Sequence, residues 1–64
     1  MKIRDVLKSL KDDGWKEVRI KGSHRIFKHP DKSGIVVVAG HPGKEVAPGT
    51  LKSIWRQAGL EGQS

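Results

Sequence analysis

The sequence contains no cysteine, little acid and no long apolar run, and each shortage removes a class of protein. Without cysteine there is neither a disulfide framework nor a thiolate metal site, a composition that fits a reducing cytosol. The longest unbroken apolar stretch, Ile35 to Ala39, falls far short of the ~20 residues that a membrane helix needs. Residues 1 to 14 lack the apolar core of a signal peptide, so the expectation is a soluble, cytoplasmic protein with no membrane partner. Seven Asp and Glu stand against thirteen Lys and Arg, leaving a formal charge of +6 and a pI near 10.1. An anionic partner follows from that balance, and on charge alone nucleic acid, an acidic protein and an anionic membrane surface all qualify. Length is short as well. A chain of 64 residues makes one domain, and at that size only about 60% of the unfolded surface is buried. Such a core encloses no deep pocket, so chemistry is expected on an open face, acting on a large substrate.

What is present reads as five elements. Ile3, Val6, Leu7 and Leu10 fall at helical spacing and predict a helix over residues 2 to 13, with Gly14 as its left-handed stop. The period then drops to two, with Val18 and Ile20 alternating with Glu17, Arg19 and Lys21. Gly22-Ser23 reads as a two-residue type II′ turn, and a second strand runs from His24 to His29, ended by Pro30. Asp31 to Gly34 form a polar turn, and Ile35 to Ala39 a third strand whose continuous apolarity suggests the central or best-covered position, or a strand whose two faces the pattern does not assign. Residues 40 to 49, rich in Gly and Pro, read as a loop carrying Lys44 and Glu45. Leu51, Ile54, Trp55 and Ala58 share one face of a last helix, closed by Gly59 and Leu60. The fold class is α+β in the order α-β-β-β-α, a three-stranded antiparallel sheet with both helices on one face.

The hairpin sets a register. Counting out from the turn pairs Lys21 with His24, Ile20 with Arg25, Arg19 with Ile26, Val18 with Phe27 and Glu17 with Lys28. One face then holds Val18, Ile20 and Phe27 and must meet the helices, with Arg25 as a misfit that snorkels outward. The other holds Glu17, Arg19, Lys21, His24, Ile26 and Lys28. His24 therefore lies on the open face, with Lys21 opposite and Ser23 adjacent, where imidazole could exchange a proton and lysine could hold a phosphate. Lys28, four residues on and about 13 Å away at the rise of a strand, reaches a neighbouring phosphate instead. Spacing alone favours the plainer reading of His24 as a polar surface residue, since proton-transferring histidines are a minority of exposed ones.

Other residues carry weaker signals. His29 and His41 invite a metal reading with His24, Asp31 or Glu45, but His24 and His29 are an odd number apart and point to opposite faces of one strand. No pair has a recognised ligand spacing, so neither a metal nor a small-molecule cofactor is expected. Trp15 and Trp55 have the chemistry to stack on bases, yet Trp55 falls on the apolar stripe and Trp15 is placed to staple the first helix to the sheet. Lys52 and Arg56, at i and i+4, describe either a solvated helix face or, with Lys44, a phosphate track.

Three separated motifs, Lys21-Gly22-Ser23-His24, Ile26-Phe27-Lys28-His29-Pro30, and Pro48-Gly49-Thr50-Leu51 with Ile54 and Gln57-Ala58-Gly59-Leu60, together resemble the HicA toxins, small mRNA interferases of bacterial type II toxin-antitoxin pairs. The resemblance runs from Arg4 to about Leu60, which makes residues 1–60 the domain and residues 61–64 a short tail. It implies a fold similar to the double-stranded RNA-binding domain and a metal-independent endoribonuclease acting on mRNA. The essential residue it implies is the His of Gly-Ser-His, here His24. Lys21, Gly22, Ser23 and Lys28 are then the expected RNA contacts, and the expected partner is a HicB-type antitoxin that covers the site. A non-catalytic double-stranded RNA-binding module shares the same fold and charge and is the alternative. A DNA-binding or acidic-partner adaptor would need the basic face alone and would ignore the ribose 2′-hydroxyl.

Overall fold

A computed structural model describes residues 1–61. The order is α1 (Ile3–Asp12), β1 (Lys16–Lys21), β2 (His24–Lys28), β3 (Val36–Ala39) and α2 (Pro48–Ala58), as the periodicities predict. Most of the tail placed at 61–64 lies outside the described residues. Both helices end as their glycines require. Gly14, at φ +100°, lets the Trp15 amide reach the Leu10 carbonyl, and Gly59, at φ +70°, does the same for Leu60 and Trp55. The β1–β2 turn also follows its residues: φ is positive at Gly22 and not at Ser23, the sign pattern of a type II′ turn.

Strand order is β1-β2-β3, both pairs antiparallel, so β2 is central and β3 is an edge. This corrects the central placement of the third strand. Its apolar run divides by alternation: Val36 and Val38 are buried, whereas Ile35 and Val37 are exposed. Burial on one side joins Phe27, Val36 and Val38 to Ile3, Val6, Leu7 and Leu10 of α1, Ile54, Trp55 and Ala58 of α2, and Trp15. Both helices therefore cover one face, and among the described residues no element covers the other. A least dimension of 17 Å leaves room for those two layers alone.

The register departs from the simple count at one residue. Lys21↔His24, Ile20↔Arg25 and Arg19↔Ile26 pair as expected, but beyond a bulge at Val18 the partners are Glu17↔Phe27 and Lys16↔Lys28. Val18 and Ile20, expected in the core, are each 54% exposed. Pairing Glu17 with Lys28 is likewise overturned. Ile20 keeps its expected partner and is exposed at the hairpin end of the sheet, whereas the shift at Glu17 and Val18 accompanies a pairing made by Arg25, which sits on the helix-facing side with Phe27. The extra residue rotates Glu17 onto that same side, where its Oε1 accepts a hydrogen bond from Arg25 Nη1 at 3.0 Å. Arg25 is thus half-buried and paired instead of snorkelling alone.

Two loops are tied down by contacts far apart in sequence. The β3–α2 loop supplies the carbonyls that the first turn of α1 lacks, with the Ile3 amide bonded to Lys44 O at 2.8 Å and the Arg4 amide to Pro42 O at 3.0 Å. In the β2–β3 loop, Lys32 Nζ reaches Asp13 Oδ2 at 2.5 Å and the Ala58 carbonyl at 3.0 Å, joining the ends of both helices. The Lys32 hydrogen bond, opposed by desolvation and reinforced by the Lys32 charge, holds the Asp13 carboxyl below its ordinary 3.8. A carboxylate with a depressed folded-state pKa adds stability that is present above the ordinary value and lost as pH falls through the depressed one. Lys32→Met is therefore expected to lower the urea midpoint at neutral pH and to flatten the loss of stability below pH ~4. An acid limb as steep as that of the parent protein would remove this assignment.

Candidate active site

Parity from the turn decides what the bare face carries. Lys21, His24, Ile26 and Lys28 alternate onto it with Arg19, and the bulge adds Lys16 where the unbulged register would have placed Glu17. One carboxylate is thereby exchanged for one ammonium. Among the described residues no acidic side chain shares this face, and Lys16, Arg19, Lys21 and Lys28 form no ion pair. Lys16 and Lys28 stand directly opposite each other, a like-charge pairing that costs stability in a sheet unless an anion lies between or over them. β3 contributes Val37 and Ala39, opposite Ile26 and His24.

His24 is exposed at the hairpin end of this face, with Lys21 across one strand spacing and Ala39 across the other. Cross-strand Cβ atoms lie about 4.5–5.5 Å apart, so Lys21 and His24 can touch the same small anion. Gly22 and Ser23 are exposed beside them. Lys28 lies on the same face at the far end of β2, too distant for that anion and well placed for the next along a chain of phosphates. The expected set Lys21, Gly22, Ser23, His24 and Lys28 is therefore brought onto one surface. Lys16 was missed because its presence depends on the bulge.

Several other candidates are placed elsewhere. The Trp15 and Trp55 indoles are 1% and 4% exposed and belong to the core, so neither is available to stack on a base. Lys52 and Arg56 are exposed on α2, across the sheet from His24. His29 is committed to structure. Its Nδ1 accepts the amides of Asp31 at 3.0 Å and Lys32 at 3.2 Å, its Nε2 lies 2.7 Å from Asp13 O, and its ring meets Trp15 edge-on at 5.3 Å. Among the described residues no three His, Asp or Glu side chains converge as a metal cage.

Such a surface can bind an extended polyanion along β1 and β2 and bring one imidazole against one of its phosphates. The comparison with curated proteins gives no match. A family model described as the HicA toxin of bacterial toxin-antitoxin systems matches residues 3–60, which contain both helices, all three strands and the Lys21-Gly22-Ser23-His24 corner. The chain belongs to the HicA toxin family.

Proposed function

We propose that this toxin is a metal-independent endoribonuclease that cuts mRNA with His24 and is neutralised by a HicB-type antitoxin seated over the same face. The observation that carries the reading is an exposed imidazole at the end of a sheet face on which every charged neighbour is basic. The ribose 2′-hydroxyl attacks the adjacent phosphorus and the P–O5′ bond breaks, releasing the 5′-oxygen, while His24 handles a proton, and Lys21 with the amides of the Gly22-Ser23 turn steadies the charge that builds on the non-bridging oxygens. Lys28, Arg19 and Lys16 hold flanking phosphates. A protein partner that covers this face must offer carboxylates to the same lysines, so inhibition is competitive with RNA.

Cleavage is expected to continue in EDTA and to stop when the ribose at the cut site is 2′-deoxy. Cutting of the 2′-deoxy substrate in a metal-dependent step would replace this mechanism with metal-assisted hydrolysis. Binding of uncut RNA without cleavage would leave the alternative, a non-catalytic RNA-binding module.

Affinity for RNA is expected to fall steeply with salt, because each phosphate contact contributes a slope of about −0.7 to −0.9 on a log–log plot. Lys21→Ala and Lys28→Ala should each reduce the slope by roughly one. Unchanged slopes in both variants would move the binding surface to Lys44, Lys52 and Arg56.

A further inference from the structure

One imidazole cannot both take the proton of a 2′-hydroxyl and give one to the departing 5′-oxygen in a single step, so the reaction proposed for His24 lacks a partner. Of the three histidines, His29 is spent. Two backbone amides point at its Nδ1, which must accept, so Nε2 carries the proton and donates to the Asp13 carbonyl. His24 and His41 remain, both exposed, and among the described residues neither ring takes part in a side-chain hydrogen bond, ion pair or ring contact.

The sheet brings these two to one corner. Ala39 is the Cα partner of His24, and the ladder takes one more step, the Gly40 amide donating to the Ser23 carbonyl at 3.1 Å. His41 follows at once. One Cα–Cα step of about 3.8 Å beyond that hydrogen bond keeps the His41 Cα within roughly 11 Å of the His24 Cα, close enough for two imidazoles to close on a single phosphate. The backbone there is also fastened. Gly40 turns at φ +116°, where a Cβ would lie 3.1 Å from Lys44 Cδ. The Lys44 amide closes a turn onto His41 O at 3.0 Å, and Pro42 O and Lys44 O are bonded to the start of α1. A loop pinned to the catalytic turn on one side and to a helix on the other is a preorganised mount for a reacting group.

We propose that His41 is the second acid–base residue of this site, contacting the same phosphodiester as His24; the inference rests on the ribonuclease reading above. The neutral member of the pair removes the 2′-hydroxyl proton as the 2′-oxygen bonds to phosphorus. The protonated member gives its proton to the 5′-oxygen as the P–O5′ bond breaks. The products are a 2′,3′-cyclic phosphate and a 5′-hydroxyl, and the pair ends with as many protons as it began with. Imidazole is a base in its neutral form and an acid in its protonated form, so a pair of them can fill both roles.

The test has an arm that needs no cleavage. Titration of 3′-uridylate into the protein should move the imidazole resonances of His24 and His41 with one Kd and leave those of His29 in place. In the second arm His41→Gln, folded by circular dichroism and still binding RNA, should lose about 10²–10⁴-fold in kcat/KM and one limb of a bell-shaped pH profile. A purely structural His41 would leave that profile unmoved. Full activity with both limbs in His41→Gln, while His24→Ala is inactive, overturns the inference and leaves the ribonuclease standing. A His41 resonance that ignores the nucleotide while that of His24 responds overturns it as well. Protein whose two imidazoles both respond but which cuts no RNA defeats the ribonuclease reading, and the acid–base role with it.

Discussion

His24→Ala is expected to yield a folded protein that no longer cuts RNA and no longer arrests growth when expressed. Two features of the structure separate the activity from the fold. The side chain is exposed on the bare face of β2, and among the described residues it makes no hydrogen bond or ion pair, so its removal leaves no cavity and no orphaned partner. Stability should stay within ~0.5 kcal/mol of the parent, read as an unchanged urea midpoint. Loss of a positioned proton-transfer group costs about 10²–10⁴-fold, and in a small open site with few other catalytic devices the loss should reach the upper end. RNA binding, which the proposed function assigns to the lysines, should fall little. A folded His24→Ala protein that cuts a long RNA at the parent rate would sink the catalytic assignment.

Phe27→Ala is expected to do the reverse and destroy the fold, on the same strand and three residues away. Phe27 is fully buried on the central strand, between Glu17 and Val36 and beneath both helices. Truncating a buried Phe costs about 3–5 kcal/mol. At the usual stability per residue a domain of this length has roughly 3–10 kcal/mol in total, so much of the population unfolds. Trp15 and Trp55, both buried, report the loss as a red-shifted fluorescence maximum. Val18 supplies the control. Alternation alone puts it opposite Phe27 in the core, whereas the bulge leaves it exposed, so Val18→Ala should cost less than ~1 kcal/mol. Equal penalties at the two positions would restore the unbulged register.

The difference between Phe27 and Val18 marks how far local pattern carries. Element order, the inward faces of α1 and α2, both left-handed helix ends, the type II′ turn and the outward placement of His24 all come from spacings of a few residues. These signals are short-range: a helical stripe repeats within four residues, a glycine sets its own φ, and a two-residue turn determines which way the next residue points. Membership of Lys21, Gly22, Ser23, His24 and Lys28 in one surface needed nothing more. Tertiary structure decided the rest. Whether β1 bulges depends on Arg25 finding Glu17 across the strand, and the bulge in turn places Lys16 on the basic face. Strand order depends on which apolar residues the two helices can reach, which made β3 an edge despite its unbroken apolar run. The three histidines look alike in the sequence and differ only by what surrounds them. His29 is consumed by Asp13, Asp31, Lys32 and Trp15, while Gly40 bonded to Ser23 carries His41 to the corner of His24. The longest of those contacts, Gly40 to Ser23, spans 17 residues, a separation over which side-chain patterning carries no information and only the packed fold selects the contacts.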